Sequence, residues 1–159
     1  MCNKTTILKP KGRKENIMKL AEKLAQMSDE QATKEEEVTN EIVNFFAEKF
    51  ESGEMMKRFE KRISSDILRE RTLRTFLEYF SYSTGCLDTH FSFMGFKWYP
   101  EDRRGYIYKG TNLNRWYKEV LSRILAIAKQ KFEDEGFSFR SYIDTKDHMY
   151  ETYVVEISW

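Results

Sequence analysis

The stretch Ser81–Tyr108, SYSTGCLDTHFSFMGFKWYPEDRRGYIY, decides how the rest of the chain is read. It is dense in aromatics and holds Cys86, His90 and the Arg103-Arg104 pair. From His90 to Tyr99 the run HFSFMGFKWY favours extended chain, because aromatic side chains suit a pleated, half-buried surface. Phe91, Phe93 and Met94 or Phe96 are placed to face inward. Gly95 interrupts the alternation, the mark of a bulge or a close backbone approach. Pro100–Gly105 reads as a polar tip and Tyr106-Ile107-Tyr108 as a returning strand, so the segment predicts a β-hairpin.

Towards the C-terminus, Lys109-Gly110-Thr111-Asn112 leads into a helix capped near Asn112 or Asn114. Its stripe of Trp116, Tyr117, Val120, Leu121, Ile124, Leu125, Ile127, Ala128 and Phe132 is wide enough to cover a sheet. Gly136 suits a left-handed cap after Glu133-Asp134-Glu135. A second hairpin follows, Phe137–Asp144 and Met149–Trp159, with its tip at Thr145–His148. Trp159 is too apolar to stand in water without packing on the helix or marking a contact surface.

Towards the N-terminus, residues 1–14 carry five basic residues and no acid, and read as a mobile tail. Ile17, Leu20, Ala21, Leu24 and Met27 follow helical spacing and predict a short helix ending near Ser28. A second helix begins after Thr33, with Glu35–Glu37 at its positive N-terminal end. Its stripe is Val38, Ile42, Phe45, Phe46 and Phe50, and Ser52-Gly53 stops it. Met55, Met56, Phe59 and Ile63 make a third segment. Ile67, Leu68, Leu73, Phe76, Leu77 and Phe80 predict a fourth helix, whether separate or continuous with the third.

The expected fold class is therefore α+β. Amphipathic helices precede a hairpin–long helix–hairpin unit, whose strands form a four-stranded antiparallel sheet with a helix packed on one face. The organisation expected is a basic tail (1–14), a helical region (15–80) and a sheet-and-helix region (81–159), the last two forming one compact unit.

Composition narrows function. Lys and Arg number 27 against 26 Asp and Glu, a balance that suits neither a strongly basic nucleic-acid binder nor a polyanion mimic. Two cysteines in unlike settings do not form a disulfide framework, which points to a reducing, cytoplasmic compartment. No apolar run is long enough to span a bilayer, so no membrane partner is expected. The charges are segregated locally. Residues 29–54 hold nine acids and two lysines, whereas residues 57–74 hold seven Lys/Arg and three acids. Two neighbouring helices could complement one another in this way. Alternatively the basic face (Lys57, Arg58, Lys61, Arg62, Arg69, Arg71 and Arg74) meets an acidic partner.

Cys86, Asp88 and His90 alternate along an extended chain, so thiol, carboxylate and imidazole could share a face and ligate zinc or activate a thiolate. A structural zinc wants four ligands in closed spacing, and the other Cys and His are the distant Cys2 and His148. A Cys-His nucleophile also needs an oxyanion hole, for which no glycine-rich turn beside Cys86 provides. Asp144, Asp147 and His148 are explained by turn chemistry before metal binding. No phosphate loop, His-Glu-x-x-His or nucleophile elbow is present. No metal and no cofactor are expected, and the reading is non-enzymatic. A small thiol- or metal-dependent enzyme is the outlying alternative.

Aromatics beside cations in Phe96-Lys97-Trp98-Tyr99, with Arg103 and Arg104, could stack bases while arginine holds phosphate. Arginine and aromatics are equally what protein-binding hot spots are made of, and the neutral balance suits protein better. The expected contact residues are Trp98, Tyr99, Arg103, Arg104 and Tyr106 at the hairpin tip. Arg58, Lys61, Arg62 and Arg69 join them from the basic helix.

The Lys/Glu-rich helical front, the aromatic FSFMGFKWYPEDRRGYIY segment and the closing YVVEISW give the chain a style. It resembles small phage or mobile-element accessory proteins of the anti-defence, anti-CRISPR-like kind. That resemblance implies an inhibitor that occupies the surface of a larger host protein or nucleoprotein complex in the host cytoplasm. A nucleic-acid-binding accessory module is the alternative.

Overall fold

A 41-residue helix, α1 (Lys11–Glu51), runs without a break through the point where two helices were expected. Between Gly12 and Gly53 the chain holds neither glycine nor proline, so Ser28 and Asp29 alone do not stop the hydrogen-bond ladder. Gly53, at φ +78°, ends α1, and α2 (Glu54–Arg69) turns back beside it. The computed structural model describes residues 11–83, 90–114, 117–144 and 152–159. Lys11–Lys14 of the expected tail are thus helical, and the rest of it lies outside the described residues.

The expected fourth helix is corrected to a strand. After Arg69 the chain leaves the helix, and Thr75–Ser83 forms β1. Its sequence, TFLEYFSYS, is rich in aromatic residues whose side chains pack on a pleat, and this outweighs the partial helical spacing of its apolar positions. Ile67 and Leu68, the start of that expected helix, instead continue α2, where Leu68, assigned to the buried side, is 87% exposed.

The expected first hairpin is also redrawn. β2 (His90–Phe93) and β3 (Phe96–Trp98) pair directly around Met94-Gly95. Both turn residues have positive φ, +50° and +78°, the mirror-image turn whose twist matches that of paired strands. Pro100–Gly105 is therefore not the tip of that hairpin. Tyr106–Tyr108 does not return beside it either. Instead β4 (Ile107–Tyr108) pairs with β5 (Thr111–Asn112) around Lys109-Gly110, again with positive φ at both residues. Helix α3 (Tyr117–Asp134) follows, capped by Gly136 at φ +91°. The second hairpin is as expected: β6 (Ser138–Asp144) pairs in register with β7 (Thr152–Ser158), and its tip lies outside the described residues.

In place of one four-stranded sheet there are three antiparallel ladders: β1–β7–β6, β2–β3 and the β4–β5 ribbon. The first two join because β1 is shared. Thr75–Phe80 pairs with β7, and Ser81–Ser83 pairs with β2, giving the strand order β3-β2-β1-β7-β6.

The helices pack on one face of this sheet. Phe76, Ile157 and Phe139 lie side by side across β1, β7 and β6, and all three are buried. Above them Phe132 of α3 meets Phe50, Phe59, Phe137 and Phe139 at ring distances of 6.2, 4.9, 5.7 and 5.9 Å. All of these rings but the half-buried Phe137 are buried, and each buried ring contributes about 1.5–3 kcal/mol of transfer free energy. This cluster ties all three helices to the sheet. Trp159 closes its edge, with its N–H on the Arg74 carbonyl at 3.1 Å and its ring 6.4 Å from Phe137.

A basic groove as candidate partner-binding surface

Helix α2 has two faces. Met55, Phe59 and Ile63 recur every four residues and are buried, which turns Arg58, Lys61, Arg62 and Arg69 outward along the flank. The β2–β3 turn rises beside that flank. Between them lies an open groove of about 510 Å³, lined by Arg58, Lys61, Arg62, Ser65, Asp66, Arg69, Met94 and Gly95. Asp66 is the one acid in this lining.

Two of the cations are held in place. Arg58 Nη1 donates to the Gly95 carbonyl oxygen at 2.6 Å, and its guanidinium lies 4.5 Å from the centre of the Phe96 ring. Arg62 lies 4.7 Å from the Phe76 ring centre and pairs with Glu78 at 3.2 Å. Arg69 pairs with Asp66, while Lys61 is exposed. Glu78 projects from β1 beneath the groove. Burial pushes its carboxyl above the ordinary range, against the pull of Arg62 and of a bond from the Met94 N–H.

The acids of α1 are answered elsewhere. Glu36 pairs with Arg123 of α3 at 3.3 Å, and Glu41 accepts from Lys109 at 2.8 Å and from the Tyr108 hydroxyl at 2.7 Å. These pairs point α1's negative charge at α3 and the β4–β5 ribbon, away from the groove.

The expected tip residues part company. Trp98 is 6% exposed and packs edge-on between Phe91 and Tyr108 at 5.9 and 5.5 Å, so it is core. Arg103 stacks 4.7 Å from the Tyr99 ring centre, bonds the Tyr99 hydroxyl and donates to the Gly105 carbonyl at 3.4 Å. Arg104 bridges its backbone to Ile107 in both directions, at 2.9 and 3.0 Å, and leaves its side chain exposed. Tyr99 and Tyr106 are exposed. None of these residues lines the α2 groove. Lys57 is exposed on α2 outside the groove, while Arg71 and Arg74 lie beyond the helix in the link to β1.

The sequence reading missed Met94, which walls the groove, and the rings of Phe76 and Phe96 that hold its arginines. The signal available was Met94-Gly95 itself, a two-residue turn flanked by apolar residues. Of the set Cys86, Asp88 and His90, the first two lie outside the described residues, and His90 is half-buried at the start of β2. Asp144 ends β6, and Asp147 and His148 lie outside. Among the described residues no three His, Cys, Asp or Glu side chains gather to hold a metal ion, and no helix is long and apolar enough to cross a membrane. No protein-family model matches the chain, and no curated protein or solved structure is found similar to it.

Proposed function

We propose that this chain is a non-enzymatic interaction protein that blocks a larger partner by setting the α2 groove against an acidic patch of its surface. The observation that supports this reading is the gathering of Arg58, Lys61, Arg62 and Arg69 around one groove with Asp66 as its single acid. Arg58 and Arg62 are ordered over aromatic rings before any partner arrives. Binding then costs them less rotamer entropy than it would cost free side chains. The resemblance to phage accessory proteins supplies the biological setting, with a host defence protein or nucleoprotein complex as the target.

The test compares the wild-type chain with a Lys61→Glu/Arg69→Glu variant as bait in nuclease-treated extract of the native host, followed by titration of the captured protein. The proposal expects affinity to fall by about tenfold or more, since two reversed charges at a desolvated contact cost upwards of about 1.4 kcal/mol. Equal affinity for the variant sinks the assignment of the groove. If nothing survives nuclease treatment and free nucleic acid binds with a steep salt slope, the partner is nucleic acid instead.

A further inference from the structure

Helix α2 has a second flank. Met56, Glu60, Ser64 and Ile67 follow one another at spacings of four, four and three, so they run along the side of the buried Met55–Phe59–Ile63 stripe away from the basic groove. Opposite this flank the chain passes from α3 into β6, and β7 ends. Ser138 pairs with Ser158, so Phe137 and Trp159 stand together just beyond that pair, their rings 6.4 Å apart. Backbone bonds hold this wall in place. The Phe137 N–H donates to the Phe132 carbonyl at 3.0 Å, and the Trp159 N–H to that of Arg74 at 3.1 Å.

Between the flank and the wall lies a groove of about 440 Å³. Phe59 and Ile63 floor it, and Trp159 stays 37% exposed at its side. Among its described lining residues the only charged side chains are Glu60, on the helix, and Glu135, on the facing wall. Neither carboxylate makes an ion pair with another described residue. Small-molecule sites are built in this way: about 300–1,000 Å³, mostly apolar walls and a few polar groups that fix orientation. Here the polar groups choose the sign of the occupant. An anion would meet two like charges, and a neutral apolar molecule would cover both carboxylates without offering them a partner. A cation satisfies both, and aromatic rings, indole above all, add attraction through their quadrupoles.

We propose that this groove binds a small organic cation, an ammonium group carried on an apolar body. The carboxylates of Glu60 and Glu135 hold the ammonium, and the body packs on Met56, Ile67, Phe137 and Trp159. The site lies on the opposite flank of α2 from the basic groove and works independently of it.

NMR titration of the full chain with phenethylammonium, phenethyl alcohol and hydrocinnamate tests this, since the three share an apolar body and differ in charge. The Trp159 indole N–H and the Met56 methyl report binding. The ammonium should bind at least about fivefold more tightly than the alcohol, and the hydrocinnamate most weakly. Glu60→Gln/Glu135→Gln should raise the dissociation constant of the ammonium about fivefold and leave that of the alcohol unchanged. Both glutamates are exposed, so the variant's melting transition should match the wild type, which separates lost binding from lost folding. Lys61→Glu/Arg69→Glu, in the other groove, should leave the titration as it is. No shift at tens of millimolar phenethylammonium overturns the proposal. So does an alcohol or hydrocinnamate that binds as tightly as the ammonium, and so does a glutamine variant that binds the ammonium as the wild type does.

Discussion

Arg58 reaches from α2 to the carbonyl oxygen of Gly95, 2.6 Å away at the crest of the β2–β3 turn. The bond pins a helix to a hairpin 37 residues further along and fixes the width of the groove between them. A β-carbon at Gly95 would sit 3.0 Å from Arg58 Nη1, on a backbone with φ +78°. Gly95→Ala should therefore destabilise the fold by about 1–2 kcal/mol from the left-handed backbone alone. Urea denaturation reads the loss directly. Gly95→Asn should lose less, because asparagine tolerates that region better, and an alanine variant as stable as wild type would contradict the turn.

Phe132 is the residue on which the layers depend. It is fully buried and touches rings from α1, α2, β6 and the segment before β6. Phe132→Ala should cost about 3–5 kcal/mol, through lost transfer free energy and the cavity left behind. Phe132→Leu should recover part of that loss. Chemical denaturation of the pair gives both numbers.

Glu78 imposes a pH dependence whose sign follows from its surroundings. Its folded pKa is raised above the ordinary value of 4.5, first by burial, so the folded chain holds a proton there that the unfolded chain has already released. Stability from this group is thus fully present below the ordinary value and is lost as pH rises through the folded pKa. Glu78→Gln, which cannot ionise, should remove that decline, so the stability difference between wild type and variant should shift against wild type across this window. Removing the guanidinium with Arg62→Ala should raise the Glu78 pKa further, an effect that carboxyl-carbon NMR titration resolves.

Arg103 and Arg104 are adjacent in sequence and unlike in space. Arg103→Ala removes a guanidinium stacked on Tyr99 and should lower stability by about 0.5–2 kcal/mol. Arg104→Ala removes only an exposed side chain and should stay within about 0.5 kcal/mol of wild type. Thermal melts of the two variants side by side check the contrast.

The parts of the fold legible in the sequence are those where one periodicity stood alone. Val120, Ile124, Ala128 and Phe132 on α3, and the strands of the β6–β7 hairpin, offered no competing pattern. Thr75–Ser83 offered two. Phe76, Leu77 and Phe80 fit a helix face, while the residue types fit a strand, and only the partner strand β7, some 80 positions away, decides between them. The Ser81–Tyr108 stretch was misjudged for a related reason. Its two-residue hairpin turns are Met94-Gly95 and Lys109-Gly110, whereas Pro100–Gly105 carries the proline and glycine that mark a turn without joining paired strands. Of the basic cluster, the residue types and their helical spacing were readable. The wall facing them was not, since Gly95 meets Arg58 only through tertiary packing.

The position of β7 bears on how the chain is made. It follows the other described strands in chain order, yet it lies inside the sheet, between β1 and β6. A ribosome delivers β1 and β6 first, each with a row of unmatched backbone amides and carbonyls, and neither can be sealed until residues 152–158 emerge. Closing the sheet also brings Thr75 against Ser158, a long loop closure that slows folding. During synthesis the nascent chain therefore carries a slot with two sticky walls until residues 152–158 slide in.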